Sequence, residues 1–455
     1  MPPAYSRTSQ RLPLEVCETV IGFIDSPYDE VDDQNKYEAS DVRSRRKRTL
    51  YSCALVCRSW VPKARICLLR SVKVGNGRTA ASFTASLQAT RPLGVYVHEL
   101  SIGVEDHKER DDPPDGGESG PTGSTSASGW IYQFVQVLPP LLPKLERLEY
   151  WNLPILHPLF YSLSSKFTSI QSLYLSDFRT QSFRDILQLI NRCKNLQKLT
   201  VSECHWQLPS SFSPSRITCT IEELHITNIY DDGDTHPRPP APFLTPYLGG
   251  LLESCATTLR TLVLGFQGTI VPFGLEPETM SLPSLESCIH LEVLKIRLTL
   301  WSSNIRWFLR PLPTSLPTSL RNIALQFEAP WDEVFEEENK ALWKQIDVAL
   351  SHRQFSKLTQ FEISWDMDDE KELKDHIIAL HHQGMFKEVF PGLTRRGILW
   401  CGNSWGEDVG SKYFDVETVL VSQIEKSEKS KTLATAWKPV SQKSLFQYEY
   451  ATGYS

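Results

Sequence analysis

Apolar residues recur along this chain as a triplet spaced apolar-x-x-apolar-x-apolar. It reads Val97-Leu100-Ile102, Leu145-Leu148-Tyr150, Ile170-Leu173-Leu175, Leu196-Leu199-Val201 and Ile221-Leu224-Ile226 in the first half. It continues as Leu259-Leu262-Leu264, Leu291-Leu294-Ile296, Leu320-Ile323-Leu325 and Leu358-Phe361-Ile363. The last two members of each triplet are two residues apart, the spacing that puts both side chains on one face of a strand. Between several triplets the period lengthens, as at Phe183, Ile186, Leu187 and Ile190, at Leu248, Leu251 and Leu252, and at Leu342, Ile346 and Leu350. That spacing predicts helices with one apolar face. A short strand and a returning helix cannot hide their apolar surfaces without a neighbouring unit, so the pattern predicts a stacked α/β array of parallel strands.

Taking the middle residue of each triplet, the steps are 48, 25, 26, 25, 38, 32, 29 and 38 residues. The run near 25 falls in the range of leucine-rich repeats, and the chain resembles an irregular leucine-rich-repeat solenoid, a horseshoe. The longest step holds residues 105–129, polar and rich in Gly, Pro and Ser, expected as a disordered loop. Asp231 to Pro242 is a second polar, proline-rich insertion. The asparagine that such repeats place after the strand is mostly missing; Asn152 and Asn228 stand near it, with Asp177 and Cys204 at similar positions. Residues interleaved between the apolar ones are expected to line the concave wall: Glu149, Ser176, Thr200, Ser202, Thr227, Gln326 and Ser364 among them. The candidates for binding a protein substrate are Trp151, Tyr174, His225, Lys295, Arg297 and Glu362.

The N-terminal region carries a different pattern. Leu12 to Ile24 reads LPLEVCETVIGFI, with Pro13 and Glu15 suited to a helix start and Val16, Cys17, Val20, Ile21 and Ile24 on one apolar face. Leu50 to Arg65, LYSCALVCRSWVPKAR, forms a second helical region, followed by the strand-like LLRSVKV. These segments resemble an F-box of the kind common in fungal F-box proteins, matching at Leu12-Pro13, Glu15-Val16, Ile21, Leu55-Val56-Cys57 and Trp60. The gap between the two regions is longer than usual in that family and carries the basic run Arg43 to Arg48. It is expected as an inserted loop over residues 25–49.

The resemblance implies docking on the Skp-type adaptor of a cullin-RING ubiquitin ligase through Leu12, Pro13, Leu14, Val16, Cys17, Val20, Ile21, Leu55, Val56, Cys57 and Trp60. A segment this short cannot bury all of its apolar surface, which agrees with a partner groove. The alternative is a helical cap that closes the first repeat. The domain expectation is an F-box unit over residues 1–70, a leucine-rich-repeat-like unit over 71–404, and a C-terminal cap and flexible tail over 405–455.

Composition narrows the function classes. The chain has 455 residues, 22% charged and 40% hydrophobic, so wholesale disorder is disfavoured. Forty-eight Lys plus Arg against 54 Asp plus Glu leave a formal charge of -6, which disfavours general nucleic-acid binding. Mean hydropathy is -0.28, and no apolar run reaches membrane-span length; with no signal-peptide pattern, the expected location is cytoplasmic or nuclear. Ten cysteines without metal-type spacing read as small buried hydrophobes, notably Cys17, Cys53, Cys57, Cys193 and Cys255.

No phosphate loop, dinucleotide fingerprint, zinc-protease helix or nucleophile elbow occurs in the sequence. Cys401-Gly402-Asn403-Ser404-Trp405 echoes a cysteine-protease motif with Ser at the nucleophile position, and reads better as the end of a strand, Ile398-Leu399-Trp400. His376, His381 and His382 are spaced 5 and 6 apart, which does not stack two metal ligands on one helix face. No metal or other cofactor is expected. The functional expectation is a non-catalytic adaptor that recruits an unknown protein to an SCF-type ubiquitin ligase. The alternatives are a scaffold that uses the F-box without ubiquitin transfer, and an enzyme around Cys401.

Overall fold

The computed structural model describes residues 15–16, 19–21, 36–56, 60–104, 129–153, 166–180, 183–206, 220–227, 244–266, 285–298, 316–327, 334–335, 337–365, 385–403 and 414–415. The last two members of all nine apolar triplets lie in strands: β2 (Glu99–Gly103), β3 (Arg147–Leu153), β4 (Ser172–Thr180), β5 (Lys198–Trp206) and β6 (Glu223–Thr227), then β7 (Thr261–Phe266), β8 (Val293–Leu298), β9 (Asn322–Phe327) and β10 (Gln360–Trp365). Two more extend the series, β1 (Ser71–Val74) before it and β11 (Leu399–Asn403) after it. The eleven strands make one sheet in chain order, every neighbouring pair parallel, and β12 (Phe414–Asp415) closes the far edge antiparallel to β11.

The register explains why the triplet is so regular. The middle residues lie opposite one another, Leu100, Leu148, Leu173, Leu199, Leu224, Leu262, Leu294, Ile323 and Phe361, and Leu399 of β11 continues the column. The third members form a second buried column from Ile102 to Ile363, and the first members a third from Val97 to Leu358. Each fully buried Leu or Ile contributes about 1.5–3 kcal/mol relative to an exposed one, and each column is covered only by its neighbours. One continuous hydrophobic core results, running from Val74 to Leu399.

Polar links fix the spacing between units. Successive backbone N–H groups at each strand entry share one carbonyl of the preceding unit, as Gln171 and Ser172 do at Glu146, and Gln197 and Lys198 at Gln171. The hydroxyls of Ser169, Thr258 and Ser319 donate to the carbonyls of Leu145, Ile221 and Leu291 at 2.6–2.7 Å, one unit back. Exposed charges repeat the step: Arg260 lies 3.8 Å from Glu222 and 4.0 Å from Glu292, and Arg321 lies 3.7 Å from Glu292. Single exposed pairs of this type stabilise little, but their alternating sign favours one pairing order.

The expected helices are present as Phe183–Arg192, Leu244–Cys255 and Glu337–Ser351. At the C-terminal end, Trp343, Phe327, Phe335, Phe361 and Phe390 pack ring against ring with centroids 5.5–6.3 Å apart. The Asp347 carboxylate accepts the backbone N–H groups of Gly392 and Leu393 at 2.9 and 2.8 Å, tying the short helix Pro391–Arg395 to Glu337–Ser351.

Several expectations need correction. Residues 36–49, expected within the inserted loop 25–49, belong to a helix, Lys36–Val56. Its Glu, Ala, Arg and Lys content favours helix, while the lack of an apolar stripe concealed it. The helical region 50–65 is divided: a second helix, Val61–Arg70, starts with Pro62 in its first turn, where a missing N–H costs nothing. Gly129, placed in the disordered insert 105–129, opens the helix Gly129–Val137; residues 105–128 lie outside the described residues. In the C-terminal segment 405–455 only 414–415 are described, and they are strand.

Candidate functional site

Residues at i and i+2 of a strand share a face, so the interleaved residues of β1–β11 form rows on the side of the sheet opposite the apolar columns. One row reads Glu149, Tyr174, Thr200, His225, Val263, Lys295, Ala324, Glu362 and Trp400. Its neighbour reads Gly103, Trp151, Ser176, Ser202, Thr227 on one stretch and Gly265, Arg297, Gln326, Ser364 on another. The six predicted substrate residues therefore occupy two adjacent rows. They do not form one pocket: Tyr174 and Glu362 are six strands apart, about 29 Å at 4.8 Å per strand.

Two groups emerge. At the N-terminal end, Trp151 and Tyr174 lie on adjacent strands and each meets a cation. The Lys73 ammonium is 4.0 Å from the Trp151 ring centre, and the Arg147 guanidinium carbon 3.7 Å from that of Tyr174. Lys198 approaches the same tyrosine at 6.0 Å and pairs with Glu223 at 3.1 Å. Sequence reasoning missed Lys73, Arg147 and Lys198; Arg147 and Lys198 stand two register positions before Tyr174 on the strands either side of it, and Lys73 two register positions before Trp151 from two strands away. At the other end, Lys295 and Arg297 share β8 and Glu362 lies on β10, where its carboxylate accepts from the Gln360 amide at 3.1 Å.

The expectation of an open wall also needs correction. Tyr174 is only 6% exposed, and Thr200, Val263, Glu362 and Ser364 are buried as well. Strands under 5 Å apart hold large neighbours shoulder to shoulder, and Tyr174 is flanked by two long basic stems. Trp151 and His225 remain half-exposed. The Trp151 indole N–H and the Thr200 hydroxyl are buried without a hydrogen-bond partner among the described residues.

Backbone geometry marks the same end of the sheet. Asn152, Asp177 and Glu203 have φ of 47°, 48° and 52°, and they follow the in-register residues Trp151, Ser176 and Ser202. Left-handed backbone is costly for non-glycine residues, and here it recurs on three successive strands. It shifts the alternation by one, so that Leu153, Phe178 and Cys204 return to the core. The Asn152 amide donates to Val104 at 2.8 Å, and the Cys204 thiol to Leu175 at 3.6 Å, each reaching the preceding unit.

The N-terminal helices form a second candidate surface. Ile21, Leu50, Cys53, Ala64 and Cys67 make a small core of their own, with Ala54, Trp60 and Leu68 packed on it. Ile21, predicted as an adaptor contact, is fully buried in that core, and its role there is structural. Val16, Val20, Tyr51, Leu55 and Val56 are exposed, Leu55 at 87% and Val56 at 66%. Leu12, Pro13, Leu14, Cys17 and Cys57 lie outside the described residues, as do His376, His381 and His382. Cys401 stands in β11 opposite Phe414. Among the described residues there is no cluster of three metal-ligating side chains, and no helix is long and apolar enough to cross a membrane.

No protein-family model matches the chain, and no curated protein matches it. A solved leucine-rich-repeat protein of Leptospira interrogans is 12% identical and covers 68% of this chain and 98% of its own, with a TM-score of 0.19. A likeness that slight carries no argument. The chain is mixed α/β, and its eleven parallel strands follow one another in sequence order.

Proposed function

We propose that this chain is an F-box-type adaptor whose N-terminal helices dock on a Skp-type subunit of a cullin-RING ubiquitin ligase, while a leucine-rich-repeat sheet holds a protein substrate. The observation that carries the reading is the exposed apolar set Val16, Val20, Tyr51, Leu55 and Val56 beside a five-residue core separate from the main one. Large apolar side chains left in water next to so small a core are expected where a partner covers them. The half-exposed Trp151, with the exposed Lys73 over its ring, supports protein recognition by the sheet. Such an adaptor acts by proximity: it raises the effective concentration of a target lysine near the ubiquitin donor and needs no catalytic side chain of its own.

The test is co-purification of full-length protein with a Skp-type adaptor and cullin, comparing wild type with Leu55→Asp/Val56→Asp. Both residues are exposed, so the variant is expected to fold while losing the adaptor. Unchanged adaptor binding would sink the docking reading. Adaptor binding without ubiquitination of a captured target would favour the scaffold alternative instead.

A further inference from the structure

The sheet face and the helical face are both spoken for by the adaptor reading, but a third feature is not. A cavity of about 460 Å³ lies at the C-terminal end of the array, lined by Lys387, Pro391, Thr394, Arg395, Arg396 and Gly397. Three of its six lining residues are cationic and none is acidic.

Among the described residues no carboxylate pairs with these three cations. Arg396 is held by three carbonyls, donating to Leu350 at 2.7 Å, Phe355 at 3.0 Å and Leu358 at 2.9 Å. Carbonyl dipoles fix the guanidinium in place yet leave its unit charge uncancelled. Lys387 and Arg395 are exposed, and neither makes an ion pair among the described residues. The adjacent carboxylate, Glu388, is engaged by Lys344 at 3.0 Å. The carboxylate of Asp347 is taken by two backbone N–H groups.

One immobilised guanidinium and two exposed cations without an ion pair among the described residues, all around one cavity, suit a multiply charged oxyanion. We propose that this cavity binds a phosphate monoester, with Arg395 and Lys387 supplying charge and Arg396 a fixed positive field. The volume falls within the range of small-molecule sites, large enough for a phosphate together with the group that bears it. The proposal does not depend on the adaptor reading, and either can fail alone.

The experiment is calorimetric titration of the full chain at low ionic strength with three probes: inorganic phosphate, O-phosphoserine, and a dodecapeptide containing one phosphoserine. Saturable binding is expected, weakened about tenfold or more in Lys387→Gln/Arg395→Gln, since both charge-assisted contacts to the phosphate are removed. Both positions are exposed, so thermal unfolding should match wild type. Tighter binding of the peptide than of O-phosphoserine assigns the site to a phosphorylated protein; equal binding assigns it to a phosphorylated small molecule. The affinity should fall as salt is raised. No saturable binding of any probe, or binding unchanged in the double variant, would overturn the proposal.

Discussion

Gly103 of β2 faces Trp151 of β3 so closely that a methyl group on it would stand 2.3 Å from two indole carbons and 2.3 Å from the Trp151 carbonyl oxygen. The bulkiest side chain on this part of the sheet therefore rests where the neighbouring strand carries none, and Lys73 reaches the same ring from β1. Three strands share one contact.

Gly103→Ala should cost about 1–3 kcal/mol in chemical denaturation, the usual range for overpacking. Trp151→Ala should not rescue it, because the carbonyl collision remains. Full rescue would mean that the ring alone sets the spacing. Lys73→Ala should cost no more than about 1 kcal/mol, as for exposed cation–aromatic pairs.

Arg396→Lys should be nearly as damaging as Arg396→Ala. The guanidinium serves carbonyls of three residues with two of its nitrogens, and an ammonium on a flexible stem does not reproduce that fork. A loss of about 2–4 kcal/mol is expected for either, less than three full charge-assisted bonds at about 1.5–3 kcal/mol each, because the bonds are only part-buried and water recovers some of them. A lysine variant as stable as wild type would contradict this.

Gly392 tests the same cap by another route. An added methyl would stand 2.0 Å from the Ser351 hydroxyl, and Asp347 already holds the Gly392 N–H. Gly392→Ala and Asp347→Ala should each lower the melting temperature, and their double mutant should lose less than the sum, since both loosen one contact. Additive losses would show two independent contacts.

Cys288 gives a pH prediction. Burial pushes its thiol up from 9.0, with a smaller opposing effect from the Ser287 hydrogen bond. A raised folded value means the native chain holds this proton more firmly than the unfolded chain. Its contribution is therefore constant below about pH 9 and declines as pH rises through the unfolded value toward the folded one. Native protein should resist alkylation at Cys288 by iodoacetamide near neutral pH, and modification should track unfolding in denaturant. Rapid modification of the native thiol would refute the burial.

The N-terminal helices separate packing from docking. Trp60→Ala should destabilise the small core and weaken adaptor binding together, because Trp60 packs against it. Leu55→Asp should affect docking alone, since Leu55 is exposed. Circular dichroism melts beside adaptor pull-down distinguish the two. If Leu55→Asp also unfolds the helices, the exposed-face reading is lost.

How the repeat could be read in advance is plain from Leu173 and Leu199. Both stand at the centre of a triplet, and both stand in the same buried column, because a period of two on a strand and a near-constant step between units carry over directly into register. The strands β1 and β11 were foreseen only as strand-like ends, since neither carries the full triplet. Helix Lys36–Val56 was not foreseen over residues 36–49, because helix propensity without an apolar stripe leaves no periodic mark.

For the site, alternation identified which residues face away from the core, and Trp151, Tyr174, His225, Lys295, Arg297 and Glu362 do lie on those rows. It gave no distances between strands, so it could not separate the aromatic end from the charged end, nor foretell that Tyr174 would be enclosed by Arg147 and Lys198. By itself the sequence determined the strand order, the three apolar columns and the presence of a separate helical segment, because all of these follow from local spacing. Only the tertiary structure decided that Arg396 meets the carbonyls of Leu350, Phe355 and Leu358, that left-handed residues line up on β3, β4 and β5, and that a cationic cavity closes the array. Those features join residues distant in the chain, and their partners are chosen by packing, which no local period encodes.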